Sequence, residues 1–148
     1  MRSDATTARA CGRQYPELSG LLDAVADENN TVVATTADWR YRQYVLSWVC
    51  RLRRLGVKCF IVFCLDRRLF QLLQAKSINS FHMDESGVAD SLLDASDSKA
   101  LFGTVGYTRI VKSKLRHQLS VLECGHSLIF SDVDPILHAV ADGEHAVQ

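Results

Sequence analysis

Apolar positions recur along this chain in two rhythms. In YPELSGLLDAVADENN (15–30), Leu18, Leu21, Leu22 and Val25 share one side of a 3.6-residue period. Pro16 suits a first helical turn and Asn29–Asn30 end the run, so the pattern predicts a helix. TVVAT (31–35) is short and β-branched and predicts a strand. Asp38 is placed to cap a second helix, whose inward face is Tyr41, Tyr44, Val45, Trp48, Val49, Leu52 and Leu55, with Gly56 as its stop. VKCFIVFCLD (57–66) is apolar almost throughout, as a strand covered on both faces is. RRLFQLLQAK predicts a short helix that Asp66 can cap, and INSFHM a third strand. The acidic stretch DESGVADSLLDASDS (84–98) reads as a loop. The clearest helix is YTRIVKSKLRHQLSVLECG, where Ile110, Val111, Leu115, Leu119 and Leu122 form the stripe expected to face the core and Gly125 is the stop. HSLIF follows as the last strand.

Strands alternating with helices predict βαβ units and an α/β fold with a mainly parallel sheet flanked by helices. At 148 residues the chain has room for one core. Residues 1–14 are small and polar and are expected to be a flexible tail; residues 15–148 are expected to be a single domain.

Composition narrows the function. The 17 basic and 17 acidic residues cancel, so no global charge points to nucleic acid or an anionic membrane. The basic groups at Arg51, Arg53, Arg54 and at Arg109, Lys112, Lys114, Arg116 are explained largely by solvent faces of helices. The cysteines (Cys11, Cys50, Cys59, Cys64, Cys124) are odd in number and contain no C-x-x-C, which argues against a disulfide framework. Cys64 and Cys124 are expected to be buried and inert. No run approaches ~20 apolar residues, so no membrane span is expected. The first residues lack the apolar stretch of a signal peptide, which leaves a cytoplasmic chain or one whose targeting segment lies elsewhere.

In parallel sheets, ligands gather at the carboxyl ends of the strands. Three predicted strand ends carry suitable groups: Thr35–Thr36, Asp66, and the pair Asp132–Asp134 in SLIFSDVDPIL. Two carboxylates held side by side raise one another's pKa unless a cation relieves them. Hard oxygen ligands favour Mg²⁺ or Mn²⁺, which complete their shells with water and phosphate oxygens. The pair therefore suggests a metal–diphosphate site, set against the plainer alternative of a solvated acidic turn before Pro135. Trp39 and Trp48 are expected in the core or an interface, and Asp66 has its own plain alternative as a helix cap.

LECGHSLIFSDVD resembles the D-x-D segment of the nucleotide-diphospho-sugar transferase family, which includes plant arabinosyl- and xylosyltransferases. TVVATTAD, YVLSWVCRLRRLGVKCFIVFCLD and FGTVGYTRIVKSKL resemble further family segments in the same order, over about residues 31–134. The resemblance implies a Rossmann-like, GT-A type half that binds a nucleotide sugar. It implies that Asp132 and Asp134 hold Mn²⁺ or Mg²⁺ on the donor diphosphate, with Asp132 also near the sugar. It places Lys114 near the donor phosphates, Thr35 and Thr36 in the loop that touches the nucleotide, and Asp66 near the base. The implied partners are a UDP-linked sugar donor and a glycan or glycoprotein acceptor, in the Golgi, with retention of anomeric configuration. Relative to the family pattern, Pro135 follows the motif directly and the acceptor half with its late His ligand is missing, so the domain is expected to be incomplete at its C-terminus. His138 is read as a surface residue rather than a substitute ligand. Two other functions stay open: a non-catalytic α/β fragment, and a phosphatase of the haloacid dehalogenase type with Asp132 as nucleophile. The latter expects Thr or Val where Ile136 stands.

Overall fold

The structure is a computed structural model that describes residues 15–83 and 105–133. Asp134, Pro135, Ile136 and His138, the acidic stretch 84–98 and the 1–14 segment lie outside the described residues. The elements are α1 (Pro16–Val25), β1 (Thr31–Ala37), a 3₁₀ turn (Trp39–Tyr41), α2 (Arg42–Arg54), β2 (Phe60–Cys64), α3 (Arg67–Ala75), β3 (Ser80–His82), α4 (Val105–Glu123) and β4 (Ser127–Phe130).

The sheet has four strands in the order β3-β2-β1-β4, and every pairing is parallel. This is the α/β, Rossmann-like architecture that the alternation of elements predicts. Parallel strands must be joined by crossovers, which are almost always right-handed. The chain steps outward from β1 through β2 to β3, then returns to lay β4 on the other side of β1. The helices divide accordingly. Val45, Trp48, Val49 and Leu52 of α2 join Leu69 and Leu73 of α3 in one core cluster. Leu18 and Leu22 of α1 and Val121 of α4 lie in the other, against Val32, Ala34, Ile61 and Phe63. β2, between two strands and two helical layers, is buried at every position from Phe60 to Cys64, which is why its sequence carries no polar alternation.

Local chemistry sets the element ends. Gly56 and Gly125 take φ of +76° and +88°, left-handed values that stop α2 and α4 where glycine is the natural residue. Asp66 caps α3 through Oδ1, which accepts from the Leu69 amide at 2.8 Å. Its Oδ2 accepts from the Trp39 amide at 2.6 Å, tying the turn after β1 to the start of α3. The Trp39 ring meets two guanidinium groups, Arg42 at 4.6 Å and Arg68 at 4.3 Å from its centroid. Trp48 meets Phe60 edge to face at 5.9 Å.

Four expectations are corrected. β1 runs through Ala37, so Thr35 and Thr36 are buried strand residues rather than part of a loop; β-branched threonine fits a covered strand as readily as a strand end. Tyr41 and Tyr44 are exposed and lie against each other at 5.9 Å between ring centroids, while Val45, Trp48, Val49 and Leu52 form the buried side of α2. The aliphatic stripe of α4 faces outward: Val111, Leu115, Leu119 and Leu122 are exposed, and the sheet instead receives His117, Ser120 and Val121. Cys124 is half-buried and disulfide-bonded, whereas Cys50, Cys59 and Cys64 are free.

Replacing Asp66 with alanine removes a helix cap and leaves the Trp39 amide without its acceptor. Asp66→Ala is expected to lower the unfolding free energy by about 2 kcal/mol. Asp66→Asn, which keeps one acceptor oxygen, is expected to lose less. Urea unfolding followed by Trp fluorescence measures both.

Candidate functional site

Reversal of strand order opens one crevice in such a sheet, outside the carboxyl ends of the two strands where the direction changes. Here those strands are β1 and β4. Their ends are Thr36–Ala37 and Phe130, and Asp132 follows two residues after β4. The chain after β4 is held in place: the Ser131 amide donates to the Ala34 carbonyl at 3.0 Å. The Ser131 hydroxyl accepts from Trp48 Nε1 at 2.9 Å and lies 3.0 Å from the Asp132 carbonyl oxygen, to which it donates.

α4 borders the crevice on the other face of the sheet. Val121, His117 and Lys114 are spaced by four and three residues, so they stack along one side of the helix. Val121 is in the core. One turn on, His117 is 2 % exposed and its ring stacks on Phe63 at 4.6 Å and 8°. His117 Nδ1 and Thr36 Oγ1 share a hydrogen bond of 2.9 Å. Another turn on, Lys114 Nζ donates to Asp132 Oδ1 at 3.1 Å, spanning from α4 to the chain after β4. Thr36, His117, Lys114 and Asp132 thus follow one another from the sheet outward.

Electrostatics grade along the same line. Burial, helped by Arg116 and His82, pulls the pKa of His117 down from 6.5 to about 3, so the ring is neutral at physiological pH. It presents dipoles to Thr36 and not a charge. The cation of the site is Lys114, whose side chain is 32 % exposed, beside an Asp132 side chain that is 63 % exposed. An ion pair this open holds together weakly. Either partner can exchange it for an incoming ligand.

The other sequence-predicted residues are placed differently. Thr35 is fully buried and its hydroxyl has no hydrogen-bond partner among the described residues. Asp66 is buried with both carboxylate oxygens engaged by backbone amides, so it fulfils the capping alternative and has a structural task at the edge of β2. Asp134 is outside the described residues. The structure joins Lys114 to Asp132, bonds Thr36 to His117 one helical turn from Lys114, and leaves Asp66 aside.

Two groups at this edge, His82 and His117, escaped the sequence reading, whereas Asp38 makes the kind of cap that the sequence assigned to it. Asp38, 3 % exposed, caps the turn after β1 through the Arg40 amide at 2.9 Å. Its Oδ2 accepts Arg40 Nε and Nη2 at 3.0 and 2.6 Å, which raises the Arg40 pKa. His82 Nδ1 lies 2.9 Å from the Cys64 carbonyl. A carbonyl only accepts, so this nitrogen carries a proton, and the buried Nε2 has no partner among the described residues. His117 was signalled only by its spacing from Lys114 and Val121.

No group of three or more His, Cys, Asp and Glu gathers into a metal cage among the described residues. The arrangement does fit a hard cation that takes one or two carboxylates and fills its shell with water and phosphate.

The buried neutral state of His117 carries a pH signature. Its folded pKa lies below the unfolded value of 6.5, so the unfolded chain binds the extra proton in between. Stability is expected to fall as pH drops from about 6.5 toward about 3 and to be indifferent to this ring above that window. His117→Gln is expected to flatten that part of the profile, measured as urea midpoint against pH.

Comparison with known proteins identifies the family. The model of the family "nucleotide-diphospho-sugar transferase" matches residues 55–138. The chain is 36% identical over 118 residues to the beta-arabinofuranosyltransferase RAY1 of Arabidopsis thaliana, covering 80% of this chain and 21% of that protein. It is 24% identical over 109 residues to the arabinosyltransferase XEG113 of the same plant, covering 74% of this chain and 16% of that one. The chain thus spans about a fifth of these curated relatives. No solved structure matches it significantly. With the family match reaching from the end of α2 past Asp132, the chain belongs to the nucleotide-diphospho-sugar transferase family.

Proposed function

We propose that this chain is the donor-binding unit of a metal-dependent glycosyltransferase and that its ligand is a nucleoside diphosphate sugar, UDP-linked. The observation that carries the proposal is the Lys114–Asp132 pair across the β1/β4 crevice. A carboxylate and a cation of opposite roles meet there, where a diphosphate and its counter-ion have to meet. Asp132, with Asp134, holds Mn²⁺ or Mg²⁺. The cation, when bound, supplies charge neutralisation on the diphosphate as it leaves the sugar.

The chain's own residues do the rest. Lys114 releases Asp132 Oδ1 and donates to a phosphate oxygen. Thr36, held by the neutral His117, lines the floor without adding charge. Ser131, bonded to Trp48, keeps the Asp132 backbone from drifting, so that the carboxylate meets the ligand without reordering. The acceptor is a glycan or glycoprotein. The proposed compartment is the Golgi lumen, where the disulfide at Cys124 is compatible with the redox conditions of the secretory route. Among the described residues no helix is long and apolar enough to cross a membrane.

Because the chain spans about a fifth of its relatives, donor binding is the property to test on it. Calorimetric titration with UDP is expected to show binding that requires Mn²⁺. Asp132→Ala and Asp134→Ala are expected to weaken it at least tenfold. Lys114→Ala, which removes one charge-assisted hydrogen bond, is expected to weaken it by roughly tenfold to a hundredfold. Absence of UDP binding under every metal condition contradicts the proposal and leaves a non-binding α/β fragment. Phosphate-ester hydrolysis abolished by Asp132→Asn favours the phosphatase reading instead.

A further inference from the structure

The chain balances 17 basic residues against 17 acidic ones, but the balance is not local. Residues 42–76, which make up α2, β2 and α3, hold six arginines, two lysines and a single acid, Asp66. That acid is buried with both oxygens engaged by backbone amides, so it offers no oxygen to an exposed cation. α2 and α3 pack on one face of the sheet. Residues 15–37 run the other way, with four acids and no base, and their helix α1 covers the other face. The α2/α3 face is therefore strongly cationic on a chain of no net charge. A helix C-terminus favours a nearby cation, but it carries only about half a negative charge. The last turn of α2 alone has three arginines, Arg51, Arg53 and Arg54, so most of their charge is left over.

A cavity of about 670 Å³ opens in this face. One wall is a single side of α2, where Leu46, Val49, Cys50, Arg53 and Arg54 recur at helical spacing. The other wall is Lys76 and Ile78, from the turn between α3 and β3. That turn is held in place: Ser77 takes a left-handed φ of +56°, and the Ile78 amide donates to the Leu73 carbonyl at 2.9 Å, as in a Schellman cap. Val49 and Ile78 are buried and Leu46 is half-buried, which makes the floor apolar; Arg53, Arg54 and Lys76 are exposed around it. Among the described residues the side chains of these three cations make no hydrogen bond and no ion pair. The cavity lies where β2 and β3 begin, at the sheet edge opposite the crevice of Lys114 and Asp132.

The lining says what fits. Its cations call for an anion, and its floor calls for an apolar group on the same ligand. It has no aromatic ring and no amide or hydroxyl side chain, so a nucleobase finds nothing to stack on and a sugar few hydrogen-bond partners. A membrane surface is broad and does not enter a recess with a buried floor. Arg53 and Arg54 diverge by about 100° round the helix, and Lys76 stands on the other wall, so the charges suit several separate carboxylates better than one point of charge. We propose that this cavity is a docking site for an acidic polypeptide segment, with an aliphatic side chain on Leu46, Val49 and Ile78 and flanking carboxylates on Arg53, Arg54 and Lys76. Arginine pairs with carboxylates through two parallel hydrogen bonds, and the cationic layer around the cavity steers such a segment toward it. The inference is independent of the donor-binding reading.

The test uses two fluorescein-labelled peptides, EEDLLDEE and EEDGGDEE, followed by anisotropy at low salt. The first is expected to bind saturably. The second, equal in charge but without the aliphatic anchor, is expected to bind about tenfold more weakly or worse. Arg53→Gln combined with Arg54→Gln and Lys76→Gln is expected to weaken the first peptide by about tenfold or more, while the thermal midpoint, which checks the fold, stays close to that of the unsubstituted chain. A further readout needs no substitution. Cys50 is exposed and lines the cavity, so saturating EEDLLDEE is expected to slow its alkylation by N-ethylmaleimide, measured by mass spectrometry. Absence of saturable binding, equal affinity for the two peptides, or unchanged alkylation of Cys50 overturns the proposal. So does tighter binding of polygalacturonate, of an oligothymidylate or of phosphatidylcholine–phosphatidylserine vesicles that the triple substitution abolishes, since the face is then assigned to another polyanion. The measurement involves no nucleotide, so it stands whether or not the donor site binds UDP.

Discussion

A parallel sheet allows no hairpins, and that constraint organises the rest of the molecule. Each strand must be reached by a crossover through a helix, the crossovers share one hand, and so all strand ends with ligand-binding potential fall on one edge. When the chain returns across β1 to lay down β4, the crossover helix must change face. That puts α4 opposite α2 and leaves a crevice between the ends of β1 and β4. Lys114 and Asp132, eighteen residues apart in sequence, meet at 3.1 Å because helix and strand are the two arms of the last crossover. The polar site is a consequence of the chain path before it is a consequence of any motif.

The interior of that crossover shows how packing grades into chemistry. Val121 belongs to the core, His117 to its boundary and Lys114 to the ligand edge, on one side of one helix. The stacked, uncharged imidazole of His117 lets a polar ring lie on Phe63 while its Nδ1 meets the Thr36 hydroxyl. A charged side chain at that level would lose its hydration without a partner carboxylate among its hydrogen bonds. The full charge is deferred by one turn, to Lys114, where solvent is at hand.

Much of this fold was legible in the residues. The unbroken apolar run of β2 announced a central parallel strand, Gly56 and Gly125 marked two helix ends, and Asp66 was in place for the cap it makes. Asp132 could be placed at a strand end, and Lys114 reached it through family resemblance. Other features were hidden for physical reasons. Periodicity reveals that a helix has an apolar stripe but not which layer that stripe meets, so the outward Leu115–Leu119 face of α4 was assigned to the sheet. Thr35 and Thr36 satisfy strand and loop propensities equally. His117 sits between Arg116 and Gln118 and looks like a solvent residue until the crossover sets it over Phe63. Asp66 was offered two roles, and only the distances to Leu69 and Trp39 show its oxygens to be engaged.

The central claim is that the β1/β4 crevice holds a metal-bound nucleoside diphosphate. Paramagnetic broadening tests it most directly, since Mn²⁺ erases amide signals in its neighbourhood. Added with UDP to ¹⁵N-labelled protein, Mn²⁺ should broaden the amides around Thr36–Asp38, Lys114–His117 and Ser131–Val133 first. The opposite end of the sheet, at Asn30, Ile78 and Gly125, should keep its signals. Broadening centred at that far end, or spread evenly over the molecule, would contradict the account.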